Sequence, residues 1–557
     1  MKGSDYIVRE LKKINDHIFM VVGGGSMHLN DSVGRMMPYT CTHHEQAAAI
    51  AAEGYARVTG KPGLCMVTSG PGVTNAITGL YGAYTDSIPM IFVSGQMKRK
   101  TLVPVFGSMR QLGDQEVNTI KLVDSLTKWA IRLDPPYEDI NHGIQKALYE
   151  AVSERPGPVW LDVPLDVQAM DVDPNLMTTF VRSPHYWMLH LITLSAITDR
   201  IRKAERPVII AGHGIRLAHA EDKLYRLVEG THIPMVPSFN SLDLEFPRKF
   251  GPFGTIGTNA ANTLVQEADL VLILGCRMNI RQIGYEFGKL AKNAYKIMVD
   301  IDEEELAKKT FVPDEKIHCG VAEFLDTVLQ EGFLSVYTAP ASWIAHCDEV
   351  ARLDAAQMPI YPDRANFVNP YRVIQSLNRV LQPHDIIVSS NGMASIVASQ
   401  MLKTTQGMRF LVNSGAGAMG YGLPMSIGAC RAAGERRVVC LEGDGSLQMN
   451  IQELETLVYN NLPVKLIVFN NRGYNSIRNT AEAYFEGRVV GADPSSGVGF
   501  PDLRRIAKAY GIEFRRVFDN VGLKSSMQWL MCGNYPKILE AMTDPDSKPM
   551  PKGVQYA

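Results

Sequence analysis

The chain has 557 residues, enough for about three domains at ~150–200 residues each. Its 46% hydrophobic and 20% charged content is that of a soluble globular protein, and a formal net charge of −2 gives no electrostatic reason to expect nucleic acid or an anionic membrane as principal partner. No apolar run reaches the ~18 residues that span a bilayer, the opening MKGSDYIVRELKK lacks a signal-peptide core, and eight scattered cysteines without a CxxC pair argue for reduced thiols and against structural zinc, so a cytoplasmic protein is expected.

In chain order, a first block spans 1–172. Glu45 to Arg57 is an alanine-rich helix ended by Gly60 and Pro62, and Leu64–Val67, Pro89–Val93 and the segment GPVWLDVPLDV read as buried strands. Asp173–Trp187, proline-bearing and aperiodic, reads as a linker. The second block, 188–335, has strands at Val208–Ala211, Leu270–Leu274 and Ile297–Ile301. Its Gly212-His213-Gly214 turn lacks the third glycine of a dinucleotide fingerprint and is weak evidence for a nucleotide by itself. A second linker is expected over Tyr337–Asn369, before a third block, 360–557, whose regular pattern starts near Pro370. The implied fold class is α/β: three Rossmann-like domains with mostly parallel sheets covered by helices on both faces.

The third block carries the most informative stretch, GDGSLQMNIQELETLVYNNLPVKLIVFNN, from Gly443 to Asn471. An apolar run (Arg437–Leu441) precedes Gly443-Asp444-Gly445. Helical spacing follows at Leu447, Ile451, Leu454 and Val458, and a second apolar run, Val464–Phe469, ends at Asn470-Asn471. Strand-helix-strand connectivity makes the two strands parallel and brings Asp444 and Asn471 out at one sheet edge. A carboxylate and an amide oxygen there suit a hard divalent cation such as magnesium, and the flanking glycines let backbone N–H groups approach phosphate. A lone Gly-Asp-Gly reads as an ordinary turn; the Asn-Asn at this spacing favours the metal reading.

On these residues the chain resembles thiamine-diphosphate-dependent enzymes, whose cofactor motif is GDG with NN some two dozen residues later. Within them, HHEQAAAIAAEGYARVTGKPGLCMVTSGPGVTNAITGLYGAYTDSIPMIFVSGQ and NSGAGAMGYGLPMSIGA are similar to the acetolactate synthase branch. The resemblance implies pyrimidine-binding, central and diphosphate-binding domains, with Glu45 as the glutamate that activates the cofactor's pyrimidine. A buried Glu45 would have a raised pKa, since burial disfavours the charged form. It implies Asp444, Asn471 and the Gly473 carbonyl as metal ligands. Gly392, Met393, Gly443, Gly445 and Ser446 would lie at the diphosphate, Gly417 and Met419 against the pyrimidine, and Pro71, Asn75 and Tyr474 also on the cofactor. Gly24 and Gly25 would flank the reacting carbon, Gln115 would hydrogen-bond a developing alkoxide, and Arg281 would pair with a substrate carboxylate.

Departures from that branch shape the expected reaction. Its phosphate segment carries polar residues where this chain has Met393 and Ala394, so contacts there should rely on backbone N–H groups. Thr480 stands where acetohydroxyacid synthases hold a tryptophan against the acceptor, which implies a carboligase acting on pyruvate or a similar 2-keto acid with an acceptor larger or more polar than 2-ketobutyrate. Thr255-Ile256-Gly257 replaces a Met-His-Gly of the flavin site, while Arg277, Asn279 and Arg281 keep part of another motif, so a FAD site stays open. A diketone lyase or hydrolase, a simple 2-keto acid decarboxylase and a non-enzymatic scaffold are the alternatives; intact Glu45, Asp444 and Asn471 argue against the scaffold. The resemblance further implies a homodimer or homotetramer with the active site between subunits.

Overall fold

The computed structural model describes residues 1–103, 109–134, 139–182, 189, 191–357, 362–405 and 407–549. Strands β1 (Ile18–Met20), β2 (Tyr39–Cys41), β3 (Gly63–Val67), β4 (Met90–Gln96), β5 (Trp129–Arg132) and β6 (Pro158–Pro164) form a sheet in the order β2-β1-β3-β4-β6-β5. The middle sheet uses β7 (Pro207–Ala211), β8 (Met235–Pro237), β9 (Leu270–Leu274), β10 (Tyr295–Asp300) and β11 (Glu315–His318), ordered β11-β10-β9-β7-β8. The third sheet, from β12 (Ile386–Ser389), β13 (Arg409–Val412), β14 (Val438–Gly443), β15 (Val464–Asn470), β16 (Glu513–Val517) and β17 (Lys537–Met542), has the order β13-β12-β14-β15-β17-β16. Every strand pair in the three sheets is parallel. The first and third sheets therefore share one topology, a relation with no trace of period in the sequence.

Parallel strands buried on both faces need continuous apolar runs. LVLIL of β9 and the run from Val464 to Phe469 supply them, and their side chains are buried. Each sheet has a strand-order reversal at its first strand, between β1 and β3, between β7 and β9, and between β12 and β14. Connections leave such a point in opposite directions and open a crevice at the strands' C-terminal ends, where ligands of doubly wound sheets bind. The turns at these three points are Gly23–Ser26 with Thr68–Pro71, Gly212–Gly214 with Gly275–Asn279, and Ser390–Gly392 with Gly443–Ser446.

Four helices matter for the site: α1 (Glu45–Thr59), α2 (Pro71–Thr85), α3 (Gly422–Ala432) and α4 (Asn475–Tyr484). Helix α1 is buried continuously from Ala47 to Arg57, because it lies between its own sheet and α3 of the third domain. Small residues make this fit. A Cβ added to Gly428 would overlap the carbonyl oxygen of Ala51, and one on Gly54 would overlap that of Met425. Those two contacts pair residue 51 with 428 and 54 with 425, so the helices run antiparallel. The first and third domains thus share one apolar core, which includes Ile50, Tyr421, Ile427 and Val438.

Some expectations need correction. The segment after Pro164 is not strand: β6 stops there and a short helix, Leu165–Ala169, follows. The helical run after Asp444 is broken into helix Asp444–Leu447, a 3₁₀ turn at Gln448–Asn450 and helix Glu453–Tyr459. The stretch expected as a second linker is largely a 17-residue helix, Ala341–Gln357. Trp343 and Cys347 bury against the middle sheet, with Val350 and Ala351 beside them, and the indole donates from Nε1 to the Pro207 carbonyl at 3.0 Å. The middle domain therefore runs past 335. Of the first expected linker, 183–187 lies outside the described residues, as do the boundary positions 188, 360 and 557. Among the described residues no helix is long and apolar enough to cross a membrane.

The close approach of α1 and α3 gives a stability test. Gly428→Ala places a methyl group where the Ala51 carbonyl sits, and overpacking of this kind costs ~1–3 kcal/mol. Calorimetry should show a lower thermal midpoint; an unchanged midpoint would mean that the two backbones are not in contact there.

Candidate active site

Two half-sites are present. The first gathers at the β1/β3 crevice. Glu45 opens α1, where His44 accepts from the Gln46 N–H at 3.1 Å as N-cap. Asn75, one turn into α2, donates from Nδ2 to Glu45 Oε2 at 2.9 Å, which orients the carboxylate and leaves Oε1 for another partner. Gly24 and Gly25 form a 3₁₀ turn bedded on the end of β3, with the Gly25 N–H donating to Thr68 Oγ1 at 3.1 Å and Gln168 donating to the Gly25 carbonyl at 2.8 Å. Pro71 is the first residue of α2. Gln115 is exposed, has φ of 60°, and its carbonyl sits against Gly70 at the same turn. Its neighbour Glu116 accepts from the N–H groups of Val103 (2.6 Å), Leu112 (3.0 Å) and Gly113 (2.9 Å) and so holds the Gln115 loop. Glu45 itself is only partly buried, short of the burial expected for it.

The second half-site is the β12/β14 crevice. β14 and β15 are in register to Gly443–Phe469, and Asp444 and Asn471 follow their ends side by side. Asp444 Oδ2 accepts from the Gly473 N–H at 2.8 Å, whereas Oδ1 is buried without a partner. Burial pushes the Asp444 carboxyl up to about 7, against the pull of backbone N–H groups at Gly473 and Gly445. Asn471 is also buried, and Arg478 from α4 donates to its carbonyl at 2.7 Å. An orphaned carboxylate oxygen beside an amide and a turn carbonyl is a donor set that fits a hard divalent cation. No group of three or more His, Cys, Asp or Glu residues is placed to hold a metal ion among the described residues, so other oxygens would complete such a site.

Around it, Gly445 lets the Tyr474 ring approach the turn, since a Cβ there would overlap that ring. Ser446 Oγ pairs with Ser390 Oγ at 2.8 Å and accepts from the Gly420 N–H at 2.8 Å. Its hydroxyl is thus committed to holding the turn, leaving its backbone N–H to meet an anion. Gly392 precedes the helix Met393–Met401, and the Met393 side chain is in the core, so that segment also presents backbone alone. The Gly417–Met419 segment crosses the crevice mouth, fixed by Asn391 donating to the Ala418 carbonyl at 2.6 Å. Met419 is 36% exposed and is not core filler. Arg281 is brought to the same place: its Nη2 lies 3.8 Å from where a Gly417 Cβ would be. Thr480 is exposed on α4, its hydroxyl donating to the Ser476 carbonyl at 3.0 Å.

Among the described residues no hydrogen bond joins Glu45 to Asp444 or Asn471. Glu45 and Pro71 begin α1 and α2, whereas Asn413 and Gly415 meet Glu53, eight residues along α1, and Gly82 and Asp86 at the far end of α2. At 1.5 Å per residue those spans are about 12 Å on α1 and about 22 Å on α2. Asn391, Thr68, Glu116 and Arg478 are contacts that sequence reading missed. Only Asn391, in the SSNG turn after β12, carried a usable signal.

The middle crevice opens on a cavity of about 600 Å³ that reaches the first and third domains through Asp86, Arg155 and Ser414. Gly214, Gly275, Arg277, Asn279 and Asp300 are among its lining residues. Burial lowers the His213 ring to about 4; the neutral ring faces the Asn240 carbonyl through Nδ1 at 3.0 Å, and Nε2 is buried without a partner. Burial raises Asp300 to about 6.

Three family models match the chain: "Thiamine pyrophosphate enzyme, N-terminal TPP binding domain" over 1–122, the central domain of the same enzymes over 194–328, and their C-terminal TPP binding domain over 390–541. Among curated proteins, the acetolactate synthase isozyme 2 large subunit of Escherichia coli is 31% identical over 98% of this chain and 96% of its own length. A probable acetolactate synthase large subunit of Methanocaldococcus jannaschii is 30% identical over 98% and 92%. Acetolactate synthase 3, chloroplastic, of Brassica napus is 30% identical over 97% and 83%.

Asp444 carries a pH test. Its folded pKa lies above the unfolded value, so below about 4 both states are protonated and it contributes nothing. As pH rises toward about 7 the metal-free fold is increasingly penalised, by on the order of 2–4 kcal/mol once ionised. Asp444→Asn should therefore raise the thermal midpoint of metal-free protein at pH 8 and leave it unchanged at pH 4. Magnesium with thiamine diphosphate should stabilise the unaltered chain and not the variant. A variant less stable than the parent in chelator at pH 8 would contradict this.

Proposed function

We infer the reaction from one premise: the chain belongs to the thiamine pyrophosphate enzyme family, among the relatives of acetolactate synthase large subunits. We propose that it decarboxylates pyruvate or a similar 2-keto acid and transfers the two-carbon unit to a carbonyl acceptor. Bound thiamine diphosphate would supply the nucleophilic carbon and the electron sink for loss of CO2. The observation that carries the reading is the half-exposed Glu45, held on Oε2 by Asn75 with Oε1 free, beside the Gly24–Gly25 turn.

In this reading Glu45 holds a proton at Oε1 toward the pyrimidine nitrogen, and Gln115 presents its amide to oxygen that gains negative charge. Asp444 Oδ1, the Asn471 side chain and the Gly473 carbonyl would hold Mg²⁺, with backbone N–H groups of Gly392, Met393, Gly445 and Ser446 at the diphosphate. Gly443 and Tyr474 would shape that turn, and Met419 would support the ring. Arg281, beside Gly417, would take a substrate carboxylate as a bidentate partner.

The separation of the half-sites along α1 and α2 supports a homodimer or larger even assembly, in which Glu45 of one copy faces Gly417 and Asp444 of another. The middle cavity supports a nucleotide cofactor. Its place at a strand-order reversal and the free acceptor on His213 fit a nucleotide such as FAD. Visible absorbance of purified protein tests for flavin. The cytoplasm remains the proposed location.

Glu45→Gln is expected to keep fold and cofactor binding while turnover falls on the order of 10²–10⁴-fold. Steady-state kinetics with pyruvate and a panel of ketones and aldehydes, read by product mass spectrometry, checks this and names the acceptor; unchanged turnover removes Glu45 from its role.

Thr480, exposed on α4, would line the acceptor side. Thr480→Trp should cut transfer to bulky ketones relative to acetolactate formation by about 5- to 150-fold, as a ~1–3 kcal/mol overfilling implies. An unchanged product ratio would place Thr480 away from the acceptor.

A further inference from the structure

Between the first and third domains lies an ionic cluster that no step above uses. The side chains of Glu53, Arg57 and Asp86 are 0%, 3% and 1% exposed. Arg57 donates from Nε to Glu53 Oε1 at 2.8 Å and from Nη2 to Asp86 Oδ2 at 2.6 Å. One cation thus serves two carboxylates, and each carboxylate has acceptor capacity left over. That capacity goes to a single stretch of the third domain. Asn413 Nδ2 donates to Glu53 Oε1 at 3.3 Å, the Gly415 N–H to Asp86 Oδ1 at 3.0 Å, and the Tyr421 hydroxyl to Glu53 Oε2. Asn413 also donates to the Gly82 carbonyl at 3.1 Å and accepts from the Ala416 N–H at 3.2 Å.

The stretch 413–421 is therefore pinned at 413, 415 and 421 from the other domain. The residues strung between the pins include Gly417 and Met419. We propose that Glu53 and Asp86 are positioning residues, which through Asn413, Gly415 and Tyr421 set where the Gly417 carbonyl and the Met419 side chain stand against the bound cofactor. The proposal rests on the cofactor reading given above. Hydrogen bonds to buried carboxylates suit the task, since an ionised acceptor makes them stronger than neutral ones. The same cluster sits in the second half of α1 and at the C-terminal end of α2, whose N-terminal halves carry Glu45 and Asn75. In an assembly of copies, these two helices would hold one site's activating carboxylate and pin the other site's cofactor segment.

A cluster with only a structural role would alter stability alone. The test uses full-length Asp86→Asn and Asn413→Ala, with Gly428→Ala as a control that loosens the α1–α3 contact without touching 413–421. Thiamine diphosphate is titrated calorimetrically in excess magnesium, and near-ultraviolet circular dichroism is recorded at saturating cofactor. Both variants should bind about tenfold more weakly, the loss of roughly one charge-assisted hydrogen bond, and should show a changed cofactor band at saturation; the control should show neither. Should Asp86→Asn fail to fold, Asn413→Ala decides. Lowered thermal midpoints with parental affinity and an unaltered band would overturn the proposal while leaving the cofactor reading intact. No binding by the unaltered chain would overturn both.

Discussion

The antiparallel contact of α1 with α3 is the constraint on which this molecule rests. Each helix follows an edge strand of its own sheet, β2 or β13, and the two sheets share one topology, so the pair relates the first and third domains as near copies packed face to face. Contact this close requires Gly54 and Gly428, because any Cβ would overlap the opposite backbone. It also forces Glu53, Arg57 and Tyr421 out of water. Two carboxylates and a guanidinium buried together are tolerated because every charge has a partner. Removing one partner of such a group typically costs about 3–5 kcal/mol, so the cluster specifies this docking as strongly as the apolar surface drives it.

From that docking follows the placement of the chemistry. A doubly wound sheet offers a ligand crevice where its strand order reverses, and the three reversals here carry the glycine turns that sequence reading picked out. Both helices start at the first crevice; α1 packs on α3 of the third domain along its length, and α2 meets the third domain at its far end through Gly82 and Asp86. Glu45 stays partly solvated, which suits a carboxylate, whereas Asp444 beside Asn471 has a buried oxygen without a partner. Only the second is a cost, and a cation there would relieve it.

The middle domain is bound in by the same logic. Asp86 accepts from Arg57 and from Gly415 while also lining the central cavity with Ser414. The cavity, the 413–421 segment and the buried cluster thus share residues.

Much of this was legible in the residues themselves. Apolar runs bounded by glycine and asparagine gave β9, β14 and β15, and the parallel rule placed Asp444 beside Asn471 without coordinates, because a strand-helix-strand unit has one handed solution. Glu45 and its helix followed from the alanine-rich pattern and the family likeness. Helix Ala341–Gln357 was missed because flanking prolines suggested a linker, although Trp343, Cys347, Val350 and Ala351 have helical spacing. What only the tertiary structure decided were contacts between segments far apart in the chain: Asn75 on Glu45, Arg478 on Asn471, Glu53 and Asp86 on 413–421, and the distance between the two halves of the site. Local pattern fixes which face of an element is apolar. Which element covers that face, and which polar groups are trapped when it does, depends on the summed fit of whole surfaces, and no window of sequence contains that information.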